Sequence, residues 1–339
     1  NDLSDDGIKH FEDENFIWMC NGEIYNFKQL AIQYNISLTT GSDCEIIIHL
    51  YHLLGIEGCI SSLEGVFSFI IYDQEKNEVV IGHDPIGVRS LYWVHQKDQC
   101  IISSEMKCIQ ELNKNVKMYP PGCYSVLNMD TNELLYHKEY YSLRYENQLQ
   151  ISNTTFTEDT IVRMIKEKLI QSVNKRLLSE RPIGCLLSGG IDSSIIACIV
   201  SRMIRPNKLR TFSIGLKGSR DLECARKVAL HLDTNHTEVI VTEEEMINAI
   251  EPTIKQIESY DTTTVRASTP MYLLSKYISE NTDIRVIFSG EGADEISGSY
   301  LYFHNAPNPQ SFQVESLRLL KDIQYFDVLR GDKTTAGNG

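Results

Sequence analysis

Residues 184–200 read GCLLSGGIDSSIIACIV: an apolar run, a turn of glycines, hydroxyls and one aspartate, then a second apolar run. No other segment limits the fold as tightly. The first run, stopped by Ser188-Gly189-Gly190, predicts a buried strand; the second predicts a helix over 192–203. The pattern repeats on both sides. Upstream, TEDTIVRMIKEKLIQSVNKRLL opens on a Thr cap with Glu behind it and predicts a helix. Downstream come strand 210–215, helix 221–232, strand 237–241, helix 243–257, helix 268–281 and strand 284–288. Alternation of this kind predicts a parallel sheet with helices on both faces. Its ligands bind beyond the carboxyl ends of the strands.

Residues 15–140 have another texture. GVFSFIIYD and NEVVIGHD are β-branched and aromatic runs separated by a charged turn, and SLYWVHQKDQCIISSE repeats the hairpin pattern. NFIWMCNGEIYN reads as a strand that turns at Asn21-Gly22. Helices are expected over about 26–35 and 43–56. Residues 141–157 are polar and rich in Tyr, Asn and Thr, and read as a linker. The expected organisation is one domain over 1–140, the linker, and a second domain over 158–339.

The glycine turn between strand 183–187 and helix 192–203 suits an anion. Gly189 and Gly190 let backbone N–H groups approach a phosphate, Ser188, Ser193 and Ser194 donate hydrogen bonds, and the helix start carries partial positive charge. Asp192 would repel a phosphate unless both share Mg2+. No lysine follows the glycines, so the loop is not a Walker A motif. SGG alone also fits a plain strand-to-helix turn; the full string SGGIDSS resembles the PP-loop of ATP pyrophosphatases.

Two further segments carry chemistry. FSGEGADEISG, after strand 284–288, places Ser289, Gly290, Glu291, Asp294 and Glu295 in one loop. The GxGxxG frame fails at Glu295, which argues against a dinucleotide fold. Three carboxylates there are costly unless cations or hydrogen bonds compensate. Asp294 is a candidate second Mg2+ ligand, and Glu291 a candidate orienting or proton-accepting group. In YDTTTVRASTP, Arg266 among hydroxyls would suit a leaving pyrophosphate, or is simply a surface arginine.

Net charge is −14, against a broad nucleic-acid surface. No apolar stretch is expected to approach the roughly 18 residues of a membrane span, and the polar, acidic start does not read as a signal peptide. Nine scattered cysteines without a CxxC pair suit a reducing cytosol. Cys185 and Cys198 read as small buried hydrophobes.

Together the motifs resemble the glutamine-hydrolysing asparagine synthetases. NGEIYN, TGSDCEIIIHLY, LEGVFSFIIYD, GHDPIGVRSLYW, SSEMKCI and PPGCY are similar to the class II glutamine amidotransferase domain of that family. LLSGGIDSS, TTTVRASTP, SGEGADE, YLYFHNAP and DVLRGDKTTAGNG are similar to its synthetase domain. The resemblance implies an Ntn-type antiparallel-sheet glutaminase domain followed by a parallel-sheet PP-loop domain. It implies ATP and Mg2+, with aspartate, glutamine or ammonia as substrates, and makes a homodimer a candidate assembly. It places Ser188, Gly189, Gly190, Asp192 and Ser193 on phosphates and metal, and Leu186, Ile214, Ser289 and Gly290 around the adenosine. Thr263, Thr264 and Arg266 address the phosphates, Asp294 is a second acidic ligand, and Glu291 serves the acyl-adenylate. In the other half it makes Asn21 and Gly22 the oxyanion donors and has Glu23 and Asp43 bind the glutamine backbone groups. A β-lactam synthetase-like enzyme, or an inactive binding homologue, are the alternatives.

The family's glutaminase nucleophile is an N-terminal cysteine whose own amine is the base. Position 1 is Asn1. A synthetase lysine of the family falls downstream of the last residue. The expectation is therefore a central fragment of such an enzyme, without glutaminase activity of its own.

Overall fold

The computed structural model describes residues 10–97, 99–142, 156–179 and 181–336. The chain divides into two compact units, Asn1–Glu146 and Asn147–Gly339. Most of the expected linker, 143–155, lies outside the described residues.

Unit 1 contains β1 (His10–Glu12), β2 (Phe16–Ile24), α1 (Phe27–Gln33), α2 (Ile46–Ser62), β3 (Gly65–Asp73), β4 (Glu78–His83), β5 (Tyr92–Gln96), β6 (Gln99–Ser103), β7 (Lys117–Met118), β8 (Cys123–Asn128) and β9 (Leu134–Glu139). Six strands form an antiparallel sheet in the order β1-β2-β3-β4-β8-β9, and three more the order β6-β5-β7. Strand side chains alternate between faces. Along β2, Phe16, Trp18, Cys20, Gly22 and Ile24 are buried, while Met19 and Asn21 are exposed. The inward set packs with Ile46, Ile47 and Leu50 of α2 and with Phe67, Phe69 and Ile71 of β3.

This register corrects the turn expected at Asn21-Gly22. The ladder runs unbroken from Phe16↔Asp73 to Ile24↔Gly65, with Asn21 opposite Ser68 and Gly22 opposite Phe67. The nine residues of β3 need a partner of equal length, and that pairing overrides the local preference of an Asn-Gly pair. The glycine is required for another reason: a Cβ on Gly22 would lie 2.1 Å from the Val66 carbonyl oxygen. A second correction concerns membranes. Asp43–Ser62 forms one helical stretch of 20 residues with mean hydropathy 1.3, long and apolar enough to span by length and composition. Half of it is buried inside the unit, where Ile46, Ile47, Leu50, Cys59 and Ile60 are core residues, and it is kinked at Gly55.

Unit 2 follows the expected alternation: α3 (Glu158–Arg176), β10 (Ile183–Leu186), α4 (Ile191–Met203), β11 (Arg210–Leu216), α5 (Arg220–Leu232), β12 (Asn235–Val241), α6 (Glu243–Asn248), α7 (Ile250–Ile257), α8 (Thr262–Asn281), β13 (Val286–Phe288), α9 (Ala293–Ser297), α10 (Pro309–Asp322) and α11 (Asp327–Ala336). The sheet is parallel, ordered β12-β11-β10-β13. Both faces are covered. Cys185 and Leu187 belong to a core with Val173, Ala197, Val200 and Ala225 of α3, α4 and α5. Leu186, pointing the other way, packs with Phe212 and with Leu274 and Ile278 of α8. Cys185 is fully buried, whereas Cys198 is only half-buried, on a less enclosed part of α4.

Two helices differ from expectation. The single helix over 243–257 is two, α6 and α7, because Pro252 has no N–H to carry the ladder past Asn248. The helix expected from 268 begins at Thr262, where Asp261 caps it by accepting from Thr264 N at 2.8 Å. Pro270 sits inside α8 and costs one backbone bond without ending it.

Candidate functional site

From β10 the chain steps outward through β11 and β12, then returns to place β13 on the other side of β10. The reversal makes a switch point, and the loops after β10 and β13 diverge from it to leave a crevice. A cavity of about 330 Å3 lies there. Of the residues singled out from the sequence, Leu186, Ser188, Gly190, Asp192, Ser193, Ile214, Ser289, Gly290, Glu291 and Asp294 line it. The two loops touch: a Cβ on Gly290 would lie 2.8 Å from Ser193 N.

The first loop is tied to itself. Ser193 Oγ accepts from Ser188 N at 3.2 Å and sits 2.9 Å from Ser188 Oγ, Ser188 Oγ accepts from Gly190 N at 3.2 Å, and Ser194 donates to Gly190 O at 2.6 Å. Gly190 has open space beside it, apart from Ser188 Oγ at 3.3 Å, and caps α4, so the helix N-terminus opens on the cavity. Gly189 does something else. It has φ +80°, and a Cβ there would meet backbone of Cys224 and Ala225 at 2.4 and 2.5 Å. It lets α5 close on the loop and is not among the lining residues.

The second loop is crowded with charge. Burial, then the carboxylates of Asp294 and Glu295, push the Asp192 carboxyl above its ordinary range. Asp294 accepts from Ser299 Oγ, and Glu295 from the Tyr300 hydroxyl. Arg330 of α11 donates through Nε to Glu291 Oε2 at 2.6 Å, and through Nη2 to the same oxygen and to Asp327 Oδ1. Asp327 is 6% exposed. Burial and a hydrogen bond with Glu295 push its carboxyl up to about 7, against the pull of Arg330.

Thr263, Thr264 and Arg266 are not among the lining residues. The Thr264 hydroxyl donates to Asp261 at 2.9 Å as part of the α8 cap, and Thr263 and Arg266 are exposed. Helix α8 instead offers Pro270, Met271 and Leu274 to the cavity. Arg330, Tyr300, Glu295, Asp221 and Met271 also line the cavity and are not among the site residues expected from the sequence. For Arg330 one local signal existed: Asp327 and Arg330 are spaced i, i+3 and share a helix face.

The donor set fits Mg2+, which takes one or two carboxylates and fills its shell with water and phosphate oxygens. Asp192 and Asp294 are two carboxylates whose mutual repulsion a divalent cation would relieve. No group of three or more His, Cys, Asp or Glu side chains fit to hold a metal occurs among the described residues.

In unit 1, Asn21 and Glu23 share the face of β2 opposite the core residues. Asp43 lies at the end of the same strand, accepting from Ile24 N, and Cys44 Sγ donates to Gly22 O at 3.8 Å. Beside them Glu45, 3% exposed, accepts four bonds of 2.6–2.8 Å from the N–H and hydroxyl groups of Thr39 and Thr40. Burial alone would raise its carboxyl; the four donors outweigh burial and bring it down to about 2.

The two units are an antiparallel-sheet domain of amidotransferase type and a parallel-sheet domain of PP-loop synthetase type. The asparagine synthase family profile matches residues 164–339, more than half of the chain, and a glutamine amidotransferase domain profile matches 4–111. The chain belongs to the asparagine synthase family. It is 43% identical over 345 residues to asparagine synthetase [glutamine-hydrolyzing] of Gallus gallus, covering 96% of this chain and 62% of that protein. A probable asparagine synthetase of Acanthamoeba polyphaga mimivirus is 39% identical over 353 residues, covering 100% and 64%. The Homo sapiens asparagine synthetase is 41% identical over 346 residues, covering 96% and 62%. The chain thus spans a little under two thirds of the length of these curated relatives.

Proposed function

We propose that the complete protein converts L-aspartate to L-asparagine at the expense of ATP, with ammonia drawn from glutamine. The observation that carries this reading is the crevice at the switch point, where a hydroxyl-rich loop at a helix N-terminus faces a carboxylate-rich loop. In the first step the side-chain carboxylate of aspartate attacks the α-phosphorus of ATP. A C–O–P bond forms, the bond to the bridging oxygen breaks, and pyrophosphate leaves with the electron pair. In the second step ammonia attacks the acyl carbon of β-aspartyl-AMP, AMP leaves with the C–O pair, and one proton is given up. Glutamine hydrolysis leaves glutamate.

Leu186, Ile214 and Phe212 supply an apolar wall for the adenosine, beside Ser289 and Gly290. Ser188, Gly190 and Ser193, at the positive end of α4, hold the phosphates. Asp192 and Asp294 would hold Mg2+, which when bound neutralises charge on the leaving pyrophosphate. Glu291 orients the substrate or accepts the proton from attacking ammonia. Thr263, Thr264 and Arg266 would reach the phosphates only if the start of α8 moves toward the cavity. In unit 1, Asn21 and Gly22 would stabilise the oxyanion of glutamine hydrolysis, with Glu23 and Asp43 on the amino acid's backbone groups. Nine scattered cysteines without a CxxC pair suit a reducing compartment such as the cytoplasm.

The test is aspartate-dependent exchange between ATP and pyrophosphate in the complete protein. Asp192→Asn is expected to lower it on the order of 100-fold or more while sparing glutamine hydrolysis. Exchange that does not depend on aspartate would sink the reading. Normal exchange by the variant would remove Asp192 from the site.

A further inference from the structure

We propose that Arg330 is a positioning residue of the synthetase site: it holds the Glu291 carboxylate at the cavity wall. The proposal rests on the function read above. Five carboxylates line the cavity, those of Asp192, Asp221, Glu291, Asp294 and Glu295, and Arg330 is the one Lys or Arg among the lining residues. It spends its charge on Glu291. Nε and Nη2 both donate to Oε2, and Nη2 also reaches Asp327. The Arg330 side chain is 17% exposed and that of Glu291 31%. A guanidinium bound on two sides and largely shielded from water keeps a fixed direction.

Glu291 needs such a partner. It stands between Gly290 and Gly292, and Gly292 has φ +82°. Backbone with glycine on both sides constrains a side chain weakly. The same carboxylate is repelled by its neighbours in the loop. Without a cation its preferred place is out in solvent, away from a reacting acyl group.

The arginine is itself held from behind. One turn further along α11, the Lys333 ammonium is paired with Glu258 at the C-terminal cap of α7, the side chains 2% and 4% exposed. Gln256 Nε2 donates to Lys333 O at 2.8 Å. A buried ion pair contributes little net stability but fixes register. Here the register it fixes is that of α11 on α7, and so the reach of Arg330 from α11 to the loop after β13.

The experiment uses the complete protein with ammonia as nitrogen source, which separates the synthetase from glutamine hydrolysis. Arg330→Met, Arg330→Lys, Glu291→Gln and the double variant Arg330→Met/Glu291→Gln are compared. Arg330→Met is expected to lower kcat on the order of 100-fold, with KM for aspartate and ATP within about threefold of the parent. Arg330→Lys, which keeps the charge and loses the fork, recovers part of that loss, and carries the comparison if the methionine variant does not fold. The double variant should be no slower than Glu291→Gln within about twofold, because Arg330 acts through Glu291. Fully additive losses, or a loss confined to KM, would mean that Arg330 touches a substrate itself and would overturn the proposal. Amide hydrogen exchange supplies a readout without turnover: residues 289–292 should exchange faster in Arg330→Met or Arg330→Lys than in the parent. Unchanged exchange rejects the positioning role even if the parent makes no asparagine, an outcome that would reject the proposed function alone.

Discussion

Glu45 and Asp327 are buried to nearly the same degree, 3% and 6% exposed, yet their carboxyls move in opposite directions. Glu45 falls to about 2 and Asp327 rises to about 7. Burial opposes ionisation at both. The difference is in the donors. Thr39 and Thr40 give Glu45 two backbone and two hydroxyl hydrogens within one short loop. Asp327 has one guanidinium, shared with Glu291, and a second carboxyl, that of Glu295, against it. Glu45 takes its four donors from the 39–45 loop, and His49 Nε2 of α2 lies a further 3.2 Å from its Oε1. Asp327, which touches the lining residue Arg330, has no such set, and incompleteness of that kind marks places built around a missing charge.

Three substitutions test the contrast. The largest effect is expected from Glu45→Gln. The folded carboxyl lies below its unfolded value of 4.5, so its contribution is present above that value and lost as pH falls toward about 2. At neutral pH the variant should lose on the order of 3 kcal/mol, and its stability should be flatter between pH 5 and 2. Urea melts across that range decide it; parallel curves for parent and variant would mean the loop does not store the energy assigned to it. Asp327→Asn should act with the opposite sign. A carboxyl raised to about 7 costs stability progressively as pH climbs from its unfolded value of 3.8 to about 7. The amide escapes that cost, so the variant should gain on the parent with rising pH, by about 2 kcal/mol near pH 8 once the neighbouring arginine is allowed for. A constant offset in melting temperature from pH 4 to pH 8 would refute this. The smallest effect is that of Thr40→Val, which removes one hydroxyl donor from Glu45. It should cost about 1 kcal/mol and move the acid limb of the stability curve upward; a limb that stays put would show that the backbone donors suffice.

What the sequence disclosed follows the same division. The hydroxyl-rich loop was legible because its partners lie within seven residues, 188–194, and its place follows from a strand and a helix contiguous with it. The alternation from 158 onward gave the parallel sheet for the same reason. Asn21-Gly22 was misread because its conformation is dictated by β3, more than forty residues away. The start of α8 was misread because Asp261 and Thr264 cap it while Pro270, a local breaker, is tolerated inside it. Glu291 could be singled out from its loop, but the arginine that binds it lies 39 positions on, on a helix joined to the end of α7 by a buried ion pair. Local patterns report local satisfaction; Arg330 acquires its meaning only when α11 folds back.

The ladder position of Gly22 has a consequence for how this protein ages. An Asn-Gly pair is the dipeptide most prone to spontaneous deamidation, because the glycine nitrogen can swing onto the neighbouring carboxamide carbon and close a succinimide ring. In β2 that nitrogen belongs to an extended strand paired with Phe67, and the Val66 carbonyl crowds the glycine from one side. The swing is forbidden while the sheet is intact and free once it opens. Conversion of Asn21 to aspartate or isoaspartate therefore works as a chemical clock for unit 1, running only during the time that β2 spends detached from β3.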